Sequence, residues 1–316
     1  MKAAIVRSFD APPAYDDVEL PPCAGADEVV VDVLAAGLHP RVMSSASGRH
    51  YADARVLPMI PGIDAVGRLA DGRLVYCVVH DTPFGTMAQQ VVADRRRCVP
   101  LPEGADPAVL AAAMNPGMSS WIALRLRAPI QAGQSVFVLG ATGNAGRMAI
   151  PIARLLGAAR VVAAGREVAR LASAAADRVV SLAGAPESVA AAIAAAASEA
   201  DIVLDYLWGQ PAADAMLALL GARQDRSKAL NWIQIGSVAG ATMSLPSVAL
   251  RSANLRLMGS GQGSVDTRAI VAELPGLADA ILRGRIPVEV ERIPLSQVSV
   301  AWNAPPSAGR RRVLIP

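Results

Sequence analysis

V-F-V-L-G-A-T-G-N-A-G, from Val136 to Gly146, runs from four apolar residues into a turn whose glycines stand three apart at Gly140, Gly143 and Gly146. The apolar run reads as a strand, and the alanine-rich chain from Asn144 onward reads as a helix. Without Cβ atoms, such a turn lets the backbone approach a pyrophosphate and lets the helix pack tightly on the strand. The free N–H groups and positive dipole end of the helix then face the phosphates. The pattern is A-x-G-x-x-G, because Ala141 stands where G-x-G-x-x-G carries its first glycine. An ordinary tight turn is the alternative. The strand–turn–helix–strand setting favours a dinucleotide site built from Gly140, Thr142, Gly143, Asn144, Ala145 and Gly146. Pro151 should remove one hydrogen bond from the following helix and bend it.

The next strand, 160–164, ends in Ala163-Ala164-Gly165-Arg166. A site specific for NAD places Asp or Glu about 20 residues beyond the motif, against the ribose 2′-hydroxyl. Gly165 stands there instead, followed by Arg166 and, one helical turn on, Arg170. Glycine leaves room for a 2′-phosphate, and a guanidinium bonds it through two donors. The turn therefore predicts NADPH; the alternative is that both arginines are surface residues of a helix start.

Strand-like runs continue at 179–182, 202–206 and 232–235, with helical runs at 167–176, 186–198 and 212–220. This alternation predicts a parallel sheet covered on both faces, a Rossmann domain over 116–265. The first third reads differently. Short β patterns at 28–33, 74–79 and 86–93, punctuated by glycine and proline, predict a mostly antiparallel β domain over 1–115. A helical run at 266–283 precedes a terminal strand at 312–315. That strand needs a partner, expected in the first domain, so 266–316 completes it. The fold class is α/β.

Composition narrows the function. The net charge of the 316 residues is +3, and 53% of them are apolar, which permits a sizeable core. The runs Arg95-Arg96-Arg97 and Arg310-Arg311-Arg312 lack the aromatics and basic stripe of a nucleic-acid binder. No apolar run reaches the roughly 20 residues that span a membrane. Cys23, Cys77 and Cys98 are odd in number and far apart, so reduced thiols in a cytoplasmic protein are expected.

Over nearly its whole length the chain resembles the medium-chain dehydrogenases/reductases, and within them the zinc-free quinone oxidoreductase-like group. The segments that carry the likeness are Ala36–Pro40 (A-G-L-H-P), Pro58–Gly67 (P-M-I-P-G-I-D-A-V-G), Phe84–Ala88 (F-G-T-M-A), the turn Gly140–Gly146, Gly259-Ser260-Gly261 and Gly309–Ile315. The resemblance implies a GroES-like β domain, a Rossmann domain and an active site in the cleft between them. The zinc alcohol dehydrogenases of this superfamily bind catalytic zinc at positions that here hold His39, Ile63 and Asn115. Ile63 cannot ligate a metal, Asn115 is a poor zinc ligand, and the four-cysteine structural lobe is missing.

The resemblance also implies roles for single residues. Quinone oxidoreductases often carry Asn where His39 stands; His39 either faces the nicotinamide or substrate, or is a hydrogen-bonded structural histidine. His50 and Tyr51 fall where the family often has a tyrosine near the substrate. Asn115 and Ser119 would lie near the nicotinamide, unless Asn115–Trp121 is only a helix-capping turn. Gly236, Ser237, Gly259, Ser260 and Gly261 would hold the nicotinamide end with their backbone, or are plain strand-to-loop turns. His39, Tyr51 and Ser119 are the candidate catalytic donors. The implied activity is hydride transfer from NADPH to a quinone or an α,β-unsaturated carbonyl, whose conjugation spreads the charge without a metal's help. An enoyl-thioester reductase and a non-catalytic NADPH-binding redox sensor are the alternatives. Segment 254–258 reads as an exposed sheet edge, which predicts a homodimer.

Overall fold

The computed structural model describes residues 1–48, 56–80, 82–305 and 309–316. Two compact units emerge, 1–115 with 271–316, and 116–270. The divisions fall within helices Pro107–Ile122 and Thr267–Leu282.

In the second unit the alternating runs form six parallel strands: Ser135–Leu139, Arg160–Gly165, Arg178–Ser181, Ile202–Asp205, Leu230–Gln234 and Leu255–Gly259. Counted in chain order, they lie 3-2-1-4-5-6 across the sheet. The order reverses between strands 1 and 4, where a doubly wound sheet opens a crevice at its C-terminal edge. Val136, Phe137, Val138 and Leu139 are all fully buried. Strand 1 is central and apolar on both faces, as a strand covered by helices on each side must be. Strand 6, at the sheet's margin, pairs only with strand 5 among the described residues. Helices Asn144–Leu155, Val168–Ala172, Pro186–Ala197 and Gly209–Ala222 follow strands 1 to 4 in turn.

The first unit carries a seven-stranded sheet. Its backbone is Glu28–Gly37, paired with Asp64–Leu69, with Gln90–Asp94 and with the closing strand Arg310–Ile315. Leu314 sits opposite Ala36 and packs, fully buried, with Val31, Ala65 and Met87. The end of the chain thus completes the core its beginning starts. Glu289–Pro294 adds to Arg310–Ile315 in parallel.

Three local expectations need correction. Residues 86–93 do not form one strand. Gly85, Thr86 and Met87 donate their N–H groups to the carbonyls of Ile60, Gly62 and Pro61, and regular pairing starts at Gln90. The helix expected over 167–176 is confined to Val168–Ala172, where Ser173 turns its hydroxyl back to the Arg170 carbonyl and Arg154 binds the Ala175 carbonyl. Asn115–Trp121 is no capping turn. It lies inside helix Pro107–Ile122, which continues through Pro116. The apolar flanks Leu110–Met114 and Trp121–Ile122 are buried, and that burial outweighs the proline's missing donor. No helix among the described residues is long and apolar enough to cross a membrane.

Candidate functional site

Strand 1 hands the chain to helix Asn144–Leu155 through Gly140, whose φ of +96° favours glycine. A Cβ on Gly146 would lie 2.3 Å from the Gly140 carbonyl oxygen, so residue 146 must be glycine for the helix to seat on the turn. The N–H groups of Gly140 and Ala141 both bond the Ala164 carbonyl, which moors the turn to strand 2. Gly143 is the N-cap, and no side chain bonds the first turn of the helix. The N–H groups of Asn144, Ala145 and Gly146 are left for a ligand, as at an anion-binding helix N-terminus.

At the end of strand 2, a Cβ on Gly165 would fall 2.5 Å from Thr142 Cγ2. A side chain at residue 165 would have to displace the Thr142 side chain. Arg166 is exposed and makes no hydrogen bond or ion pair among the described residues. Arg170 is engaged: its Nη1 donates to the Thr142 carbonyl at 3.2 Å and its Nε pairs with Glu167 at 2.9 Å. One arginine is open and the other braces the turn. Arg147, half-buried on the first helical turn, is likewise without a partner among the described residues.

Strand 4 ends in Asp205-Tyr206-Leu207-Trp208, which sequence reasoning passed over. Asp205 is fully buried; Oδ1 accepts from the N–H groups of Leu207 and Trp208, and Oδ2 from Trp232 Nε1 at 2.9 Å. Burial raises its pKa. These bonds hold the bend in which Trp208 adopts a φ of +54°, a conformation that costs a non-glycine residue on the order of 1–3 kcal/mol. Tyr206 touches both flanks of the switch point. A Cβ on Gly140 would lie 3.1 Å from Tyr206 Cβ, and one on Gly236 would lie 2.7 Å from the Tyr206 carbonyl oxygen. The Tyr206 hydroxyl is 3.1 Å from Ser119 Oγ. Three expected site residues, Ser119, Gly140 and Gly236, thus meet around one tyrosine. Ser237 is exposed at the end of strand 5. Ser260 N–H bonds the Gln234 carbonyl, Arg127 Nε binds the Gly259 carbonyl at 2.8 Å, and Gly261 N–H bonds Ser264 Oγ, so the strand 6 loop is held in place. Asn115 is half-buried within its helix.

In the first unit His39 is buried, with 1% of its surface exposed. Its Nε2 lies 3.1 Å from Asp64 Oδ1, and its Nδ1 faces the Arg311 guanidinium. Arg311 has only protons to offer, so Nδ1 accepts and Nε2–H donates to Asp64. Tyr76 donates its hydroxyl to Asp64 Oδ2 at 2.8 Å, and Thr86 donates to the Asp64 carbonyl. Burial pulls the Arg311 guanidinium down to about 10, still charged at neutral pH. Burial, then the Asp64 charge, pushes the Tyr76 phenol well up. Both ring nitrogens of His39 are occupied inside its own unit. The reading in which His39 faces nicotinamide or substrate is corrected: it is the structural histidine. His50 and Tyr51 lie outside the described residues.

No family model matches the chain. A probable NADPH-dependent quinone reductase from Emericella nidulans is 29% identical over the full length of both chains. The quinone oxidoreductase of Thermus thermophilus, solved alone and with NADPH, is 28% identical, is covered completely, and superposes with a TM-score of 0.80. The chain is similar to quinone oxidoreductases of the medium-chain dehydrogenase/reductase superfamily. Its homologues and structural neighbours there include quinone oxidoreductases, with a GroES-like and a Rossmann domain. A trans-enoyl reductase from Aspergillus terreus is also similar, 32% identical over 42% of each chain.

Tyr206 gives this protein a measurable alkaline signature. Burial pushes its phenol up to about 12, above the usual 10. A raised folded-state pKa contributes stability that is whole below the unfolded value and is lost as pH rises through the folded one. Stability should therefore fall between about pH 10 and 12. Tyr206→Phe should lessen that fall in urea titrations across this range, leaving the part due to Tyr76; an unchanged limb would show that the Tyr206 phenol does not ionise on unfolding.

Proposed function

We propose that this chain is a zinc-independent oxidoreductase that reduces a quinone or an α,β-unsaturated carbonyl with NADPH. The observation that carries the reading is the pairing of an uncapped glycine turn at strand 1 with an unpartnered Arg166 at the end of strand 2. It is supported by a relative that is named as an NADPH-dependent quinone reductase and matches over the full chain length. The residues fit the cofactor. The N–H groups of Asn144, Ala145 and Gly146 suit its pyrophosphate, Arg166 its 2′-phosphate, and the backbone of Gly236, Ser237 and Gly259–Gly261 its nicotinamide end. Bound there, NADPH supplies the hydride.

The chain's own residues hold and orient. Gly140, Gly146 and Gly165 keep side-chain bulk out of the turn, and Arg170 binds the Thr142 carbonyl. A conjugated acceptor spreads charge over its own π-system, so positioning and weak hydrogen-bond donors suffice. The positions matching the superfamily's catalytic zinc do not fit that metal. Ile63 offers no donor atom, and the His39 nitrogens are committed to Arg311 and Asp64. A second reading, reduction of an enoyl thioester, is favoured by the partial likeness to the trans-enoyl reductase. Oxidation of NADPH in the presence of small quinones, enones and enoyl thioesters separates the two. NADPH consumed with none of them would defeat both. We also assign the protein to the cytoplasm, on its scattered unpaired cysteines.

Arg166→Ala should weaken NADPH and leave NADH nearly unchanged. Charge-assisted bonds of roughly 1.5–3 kcal/mol each, reduced by solvent at an exposed site, set a preference of about ten- to a thousandfold in the native protein. Fluorescence titration with both cofactors reads it, and equal loss for both would exclude Arg166 as the phosphate ligand. Gly165→Asp is a poorer probe, because its Cβ would also displace Thr142.

Elemental analysis of the purified protein should find far less than one zinc per chain, and a chelator should leave activity intact. Stoichiometric zinc required for turnover would refute the metal-free site.

A homodimer is the third expectation. Strand 6 leaves one edge unpaired among the described residues, with Leu257 exposed on it. Light scattering at micromolar concentration should return twice the chain mass; a monomer mass would count against pairing through this edge.

A further inference from the structure

The hydrogen-bond inventory around Ser119 determines what this residue can do. A serine hydroxyl carries one proton and two acceptor lone pairs. Ser119 Oγ lies 2.7 Å from the Pro116 carbonyl oxygen, one turn back on its helix. A carbonyl oxygen can only accept, so the Ser119 proton is spent there. Tyr206, at 3.1 Å, must then be the donor to Ser119 Oγ. The phenol keeps its proton at ordinary pH, since burial pushes it up to about 12. Ser120, fully buried, donates its own hydroxyl to the Gly117 carbonyl at 3.3 Å. One lone pair of Ser119, itself only half-buried, remains unassigned.

The sheet order says which part of a dinucleotide that lone pair would meet. Arg166 marks the adenosine end at strand 2, the glycine turn at strand 1 takes the pyrophosphate, and strands 4 to 6 continue away from the adenosine. Ser119 is tied to Tyr206 at the end of strand 4, on the nicotinamide side. The hydrogen-bond donors on a dihydronicotinamide ring are its carboxamide N–H groups.

We propose that Tyr206 is a positioning residue that holds Ser119 as a fixed acceptor for the carboxamide N–H of the nicotinamide. Ser119 is then a cofactor-orienting group and does not protonate the product. The inference rests on the NADPH reading above.

The test compares NADPH with its 3-acetylpyridine analogue, which keeps the ring carbonyl and lacks the N–H groups. Both are titrated by fluorescence against wild type, Ser119→Ala, Ser119→Thr and Tyr206→Phe, with the fold of each checked by circular dichroism. One neutral hydrogen bond corresponds to about a two- to tenfold change in affinity. The preference of wild type for NADPH over the analogue should fall by that factor in Ser119→Ala. It should fall partly in Tyr206→Phe and persist in Ser119→Thr, which retains the acceptor. A folded Ser119→Ala protein with the wild-type preference overturns the proposal. So does a wild type that binds both compounds equally well, which leaves the cofactor reading intact. A wild type that binds neither compound refutes the cofactor reading itself.

Discussion

The fold of the second unit depends on one close approach, that of helix Asn144–Leu155 to the end of strand 1. A side chain at residue 146 would strike the Gly140 carbonyl at 2.3 Å, so the helix seats only because that side chain is missing. Once seated, the helix directs its uncapped N–H groups into the crevice where the strand order reverses. The same packing favours glycine at residue 165, because Thr142 occupies the space its side chain would take. A residue that looked selected by a 2′-phosphate is selected first by its neighbour in the turn.

The first unit depends on a different constraint, the charge balance of a buried network. Asp64 and Arg311 carry opposite charges, with neutral His39 between them and Tyr76 completing the carboxylate's shell. Removing one partner from such a pair typically costs about 3–5 kcal/mol, because the other charge stays buried. Arg311 comes from the closing strand and His39 and Asp64 from the early chain, so the network and the apolar packing of Leu314 fasten the same seam. This explains why a histidine in a segment so similar to a zinc-binding one has no nitrogen left for a metal or a substrate.

The dinucleotide half shows a comparable division of labour. Arg166 is open while Arg170, one helical turn away, braces the turn through Thr142 and Glu167. Asp205 spends its carboxylate on backbone and on Trp232, holding the strained bend at Trp208. Tyr206 thereby stays fixed between Gly140 and Gly236. The shape of this edge is set by bonds among the protein's own groups.

The sequence by itself determined the parallel sheet and the glycine turn, and placed Arg166 at the end of strand 2, since each depends on residues within a single strand–turn–helix unit. Apolar runs such as Val136–Leu139 and glycines three apart have the same consequence wherever they occur. It also determined that Ile63 offers a metal nothing. Only the tertiary structure brought His39 to Asp64 and Arg311, and Ser119 to Tyr206. Ser119 and Tyr206 are 87 residues apart, and Arg311 lies 272 beyond His39. Neither pairing leaves a local pattern. The N-P-G-M-S run was equally deceptive, for it carries turn residues yet is helical because its flanks are buried. A hydroxyl or imidazole has few hydrogen-bonding sites, and which partners fill them is set by strands and helices that meet only after folding.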